Sequence, residues 1–207
     1  AQLRVLIGKG TPKEIIEEAK IISIQYHAGF FDKTGHCCLH NEHTGKEVNS
    51  VEIRKFLIDH NLGVECSGFV TQILRVHFQE TKNIDITCKF FVVSPRYFFR
   101  WLITLLRPIE NIGVRRFVDD RNTKQITWNE AQAGDVLVML ETGIKNNYNH
   151  ILLIMDRKDD TLKYAHARAW NSEGKYGHGV AVGEIKLCNP NGILLDQIWT
   201  ELSYVND

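Results

Sequence analysis

Apolar residues first recur at helical spacing just inside the chain, where Ile15, Ile16, Ala19, Ile22 and Tyr26 fall on one face. Thr11-Pro12-Lys13-Glu14 precedes them, with Thr11 placed to cap, Pro12 at the first helical position and Glu14 closing a capping box. The pattern predicts a core-packing helix from Pro12 onward. Periodicity then fades over residues 30–50, which are polar and dense in Gly, His and Asn, as in a loop or a small insertion. Residues 51–60 read as a short helix that Gly63 terminates. A longer amphipathic helix follows Cys66, with Val70, Ile73, Leu74 and His77 on one face. Ser94-Pro95 opens another, on which Tyr97, Trp101, Leu102 and Leu105 share a side before Pro108 stops it.

Beyond Pro108 the chain reads as strands. Segments 136–140, 151–155, 162–167 and 180–187 are short, apolar and bounded by turn residues. Arg157-Lys158-Asp159-Asp160 is the polar turn of a hairpin between the second and third. Helices come first and an antiparallel sheet second, which is the α+β order. The N-terminal helices are expected to pack on that sheet.

Composition narrows the function classes. The 207 residues are 43% hydrophobic and 24% charged, enough for a core without staples. Twenty-five basic residues balance 25 acidic ones, which argues against a dedicated nucleic-acid binder. The most apolar stretch, 98–106, is too short to span a bilayer and contains Arg100. The chain opens on Ala1, a trace that a cleaved export signal or domain trimming would leave, so a secreted or cell-envelope setting is favoured over a cytoplasmic one. Five cysteines, an odd and scattered set, do not make a disulfide framework.

Cys66 stands out among them because it opens a helix. Unpaired amides and the helix dipole there favour a thiolate, the nucleophilic form. Ser67 and Gly68 are small and leave room for a substrate backbone. A nucleophilic cysteine needs a base, and Asn149-His150 stands at the entry of an apolar strand. A base needs an orienter, and Tyr164-Ala165-His166-Ala167 lies on the next strand of the same hairpin. Ala133-Gly134-Asp135-Val136 reads as the turn that feeds the preceding strand. His178 is a looser candidate for the third position.

Two other segments compete for attention. Residues 36–43 are dense in zinc-ligand types, yet structural zinc sites use two ligand pairs separated by a longer loop, so no metal is assigned. Residues 89–116 carry six basic side chains and one acidic among many aromatics. They read as a core helix with a basic edge, or as a lid or contact surface for a membrane or an acidic polymer.

Glu65-Cys66-Ser67-Gly68-Phe69-Val70 resembles the D-C-S-G-hydrophobic-V motif of the NlpC/P60 cysteine peptidases, and Gly134-Asp135-Val136, His150 and His166 are similar to that family's later elements in order. The resemblance implies a papain-like α+β core and one catalytic domain over 1–207, with insertions near 30–60 and 80–127. It implies a Cys66 nucleophile, a His150 base, a His166 orienter and substrate contacts at Tyr26, Ser67 and Gly68. The activity implied is hydrolysis of amide bonds in peptides, such as the stem peptides of bacterial peptidoglycan, with no cofactor and no nucleic-acid partner. An acyltransferase or deamidase on the same scaffold, or a binding module that kept the fold, are the alternatives. Glu65 stands where the family has Asp, and 84 positions separate Cys66 from His150, more than is usual for the family.

The hairpin makes a geometric demand. His150 and His166 cooperate only if both point to one side of the sheet. Direct opposition centres the hairpin on residue 158, which requires an odd-length or bulged turn at 157–160. His150, Leu152 and Ile154 are then expected to face the Cys66 helix. A regular two-residue turn at Lys158-Asp159 would put the imidazoles on opposite faces and hand the third role to another residue, such as His178.

Overall fold

The computed structural model describes residues 2–41, 45–93, 95–142, 147–170, 173–189 and 191–201. The architecture is α+β: helices and a curled antiparallel sheet of five strands. The chain divides into two compact units, Ala1–Glu65 with Ala169–Gly179, and Cys66–Arg168 with Val180–Asp207.

In the first unit, α1 (Gln2–Leu6) and α2 (Pro12–Gln25) pack together. The capping box of α2 forms as the sequence predicts: the Glu14 amide donates to Thr11 Oγ1 at 3.2 Å, and the Thr11 amide donates to Glu14 Oε2 at 2.9 Å. The buried stripe of α2 differs from the expected one. Ala19 and Ser23 turn inward with Ile15 and Ile22 partly buried, while Ile16 and Tyr26 are exposed. Ser23 is recruited because its hydroxyl accepts the Phe30 amide at 3.2 Å, so a small polar residue takes a core position. Val5, Ala19, Phe30, Phe56 and Leu62 form this unit's core. The polar stretch expected as loop holds a two-residue hairpin, β1 (His40–Asn41) with β2 (Lys46–Glu47). Next comes α3 (Ser50–Asp59), closed by a second capping box between Asn49 and Glu52. From α3, Arg54 donates to the carbonyls of Tyr176, Gly177 and His178, and Asp59 pairs with Lys175.

The second unit opens with α4 (Cys66–Lys82). Its buried stripe is Ser67, Val70, Thr71 and Leu74; Ile73 and His77, expected on the core face, are exposed. Small side chains let α4 approach its neighbours closely, so the stripe follows Ser and Thr rather than the most apolar residues. After α4 come α5 (Phe98–Leu106), which starts three residues beyond the expected Pro95, and α6 (Pro108–Asn111). A 3-10 turn at Val114–Val118 follows, where strands were anticipated. Ile112, Val114 and Phe117 from this stretch are core residues. Asn122 ties the stretch to the segment after α4: its side chain accepts from the Phe91 amide at 2.6 Å and donates to the carbonyls of Phe91 and Arg116.

The sheet runs in chain order: β3 (Val136–Thr142), β4 (Tyr148–Lys158), β5 (Thr161–Arg168), β6 (Gly179–Lys186) and β7 (Ile198–Trp199). The first four match the expected strands within a few residues; β7 was not anticipated. Strand β4 has two buried faces. Ile151 and Leu153 pack with Val70 and Leu74 of α4, and Leu152 and Ile154 pack with Leu162, Tyr164, Ile185 and Trp199. The expectation that His150, Leu152 and Ile154 face α4 is therefore corrected: alternation gives α4 the odd-numbered residues.

Register explains how the two histidines still meet. Lys158 pairs with Thr161 across a two-residue turn at Asp159-Asp160, where Asp159 takes a φ of 51°. Continued without interruption, that register would set His150 and His166 on opposite faces. A bulge at Met155 intervenes, and from Ile154↔Tyr164 and Leu153↔Ala165 onward the register has shifted by one. His166 then falls opposite Leu152, diagonal to His150 and on its face. The expectation of an odd-length or bulged turn at 157–160 is therefore corrected: the turn is a regular two-residue one, and the bulge that brings the imidazoles to one face lies in the strand at Met155.

Candidate functional site

Cys66 is the first residue of α4 and is half-buried, packed against the cluster that contains Ile151, the neighbour of His150. The helix lies on both β4 and β5. Strand β3 enters through Gly134, whose φ of +94° is a left-handed conformation suited to glycine. The turn is locked by the Gly134 amide donating to the Ile154 carbonyl and the Ile154 amide donating to the Asp135 carbonyl, each at 2.9 Å.

His150 Nε2 lies 2.8 Å from His166 Nδ1, with the rings nearly perpendicular at 74°. His166 is completely buried, and its Nε2 lies 2.8 Å from Glu201 Oε2. Glu201, two residues after β7, also accepts from Tyr164 Oη at 2.6 Å and from Arg168 Nε at 2.9 Å. Burial alone would raise the Glu201 pKa, but the contacts from His166, Tyr164 and Arg168 outweigh it and hold the carboxyl below its ordinary value. An ionised Glu201 only accepts hydrogen bonds. His166 therefore donates from Nε2, and in the neutral imidazole its Nδ1 accepts. His150 must then donate from Nε2, which leaves its Nδ1 lone pair as the basic atom. The chain Glu201–His166–His150 thus fixes both tautomers.

Tyr164 braces this chain from the side, with its ring 5.4 Å from that of His166 and 5.6 Å from that of Trp199. Gly183 on β6 makes the brace possible. A Cβ at that position would overlap the Tyr164 hydroxyl and come within 3.0 Å of Glu201 Oε2.

Other expected site residues lie elsewhere. Ser67 is buried and donates its hydroxyl to the Ile112 carbonyl at 3.1 Å, so its side chain anchors α4 rather than facing a substrate. Gly68 is buried in the first turn of α4. Tyr26 belongs to the first unit, where it ends α2 exposed, its ring 5.1 Å from that of His60. Glu65 is ion-paired with Lys9 at 3.2 Å in that same unit. His178 also belongs there, its carbonyl held by Arg54. Of segment 36–43, residues 42 and 43 lie outside the described residues; His36 Nδ1 meets Thr34 Oγ1 at 2.7 Å. No cluster of three metal-ligating side chains occurs among the described residues.

Glu201 was missed from the sequence. The only local signal is an apolar pair, Ile198-Trp199, too short to show a period. Comparison with protein-family models, with curated proteins and with solved structures yields no match.

Proposed function

We propose that the second unit is a cysteine hydrolase of the NlpC/P60 type on a papain-like core, cleaving amide bonds in short peptides such as peptidoglycan stems. The observation that carries this reading is the Glu201–His166–His150 chain, which leaves a basic Nδ1 on His150, on the strand against which α4 packs. A half-buried carboxylate that orients a fully buried imidazole, and through it a second one, is costly to build for packing alone. Its chemical use is to hold a base ready.

In the proposed reaction His150 Nδ1 takes the Cys66 thiol proton, and the thiolate attacks the amide carbonyl carbon. The Cys66 backbone amide, at the start of α4, is the candidate donor to the developing oxyanion. Collapse of the tetrahedral intermediate breaks the C–N bond, and the His150 proton leaves with the amine. Water then attacks the thioester, gives its proton to His150, and releases the carboxylic acid as the thiol is restored. Ionised Glu201 stabilises the imidazolium pair without taking the proton.

Thiol labelling tests the reading directly. Among the five cysteines, Cys66 should react first with iodoacetamide at pH 6, and His150→Ala should slow it selectively. Cys66→Ala should abolish release of peptide fragments from digested cell wall, read by mass spectrometry, without lowering Tm as a core substitution would. Uniform labelling of all five thiols would favour a binding module. Acyl transfer to an added amine with intact wall fragments would favour the acyltransferase reading.

A further inference from the structure

Helix α5 is inside out. On a helical projection Phe98, Phe99, Leu102, Ile103, Leu105 and Leu106 form one broad apolar arc, with Arg100, Thr104 and Arg107 opposite. Burial runs against that pattern. Thr104 is the residue turned inward, 6% exposed, and its hydroxyl donates to the Trp101 carbonyl at 2.7 Å. The apolar arc faces out, with Phe99 81% and Leu106 75% exposed. A single helix that buries its threonine and presents its leucines has the form of an interfacial element rather than of a core one.

The charge around the arc selects the occupant. Arg96, Arg100 and Arg107 flank or interrupt the helix, and Lys89, Arg115 and Arg116 lie on the same stretch of chain. Arg115 is paired with Glu141 at 2.8 Å, while Glu110, the single acid between 89 and 116, is half-buried. A lipid surface with anionic headgroups accepts both features: the arc enters the acyl boundary while the arginine heads stay at the phosphates. Tyr97 and Trp101, each with an apolar ring and one polar atom, suit the same depth.

We propose that α5 docks the protein on an anionic membrane surface, with Phe99 and Leu106 inserted and Arg100 and Arg107 on headgroup phosphates. This docking stands apart from the hydrolase reading, since no residue of the His150 chain takes part. The test is sedimentation of the whole chain with vesicles of phosphatidylcholine alone and of phosphatidylcholine mixed with phosphatidylglycerol. The mixed vesicles should bind at least about tenfold tighter, with the gain shrinking as salt rises. Phe99→Asp and Leu106→Asp should each abolish binding and leave the circular dichroism spectrum unchanged, because both side chains are exposed. Failure to sediment with either vesicle overturns the proposal, as does equal binding by the Asp variants. A dimer in light scattering that Leu106→Asp dissociates, with no vesicle binding, would assign the face to a second copy instead.

Discussion

Glu201 is the residue through which the candidate site answers to pH. Its carboxyl is held below the ordinary value of 4.5, so it contributes stability that is fully present above that value and lost as pH falls through the lower folded-state value. Glu201→Gln should cost about 1–3 kcal/mol near neutrality. Chemical denaturation at stepped pH should show that cost narrowing as pH falls below 4.5, where the unfolded chain takes up the proton first, and towards the lower folded-state value. In the proposed hydrolysis, the same variant should lower kcat roughly tenfold or more with little change in KM, because it would act on the proposed base rather than on substrate binding. Gly183→Ala should mimic it by pushing the Tyr164 hydroxyl away from the carboxylate. The cysteine and the two histidines were legible in the sequence because each stands at the start of, or within, an element with a clear period. Glu201 was not, because what marks it is burial beside His166, a contact 35 positions away.

At the scale of elements, the hydrophobic pattern placed α2 to α5 and four of the strands, though not α1 or α6, and it mis-phased the faces. It weights Ile and Val above Ser and Thr, whereas α4 packs through Ser67, Val70, Thr71 and Leu74. Leu74→Ala should therefore cost about 2–5 kcal/mol, and Ile73→Ala under about 1 kcal/mol, in urea unfolding. Equal costs would restore the original phasing. The same weighting hid the sense of α5, where the period was evident and the side that meets the protein was not. Strand β4 carries a subtler point. Its bulge at Met155 is invisible in an unbroken apolar run, yet its one extra residue is what brings the two imidazoles to one face.

The whole molecule is held by ties that span long stretches of sequence, which no local pattern announces. In the first unit, Arg54 grips three successive carbonyls more than 120 positions away. Arg54→Ala should speed hydrogen exchange across 174–179 while the amides of α2 keep their protection. In the second, Arg157 donates to the carbonyls of Trp128, Asn129 and Ala131 and so fixes the approach to β3. The relay in this unit is also spread along the chain. A ribosome releases Cys66 135 residues before it releases Glu201, and β7, with Trp199 seated in the core, brings that carboxylate in. Until then His166 has no anion to set its tautomer, and His150 is as free to present the wrong nitrogen as the right one. In the proposed reaction the nascent chain would thus carry Cys66 in an unarmed form, and the last strand of the sheet to be synthesised would be the one that arms it.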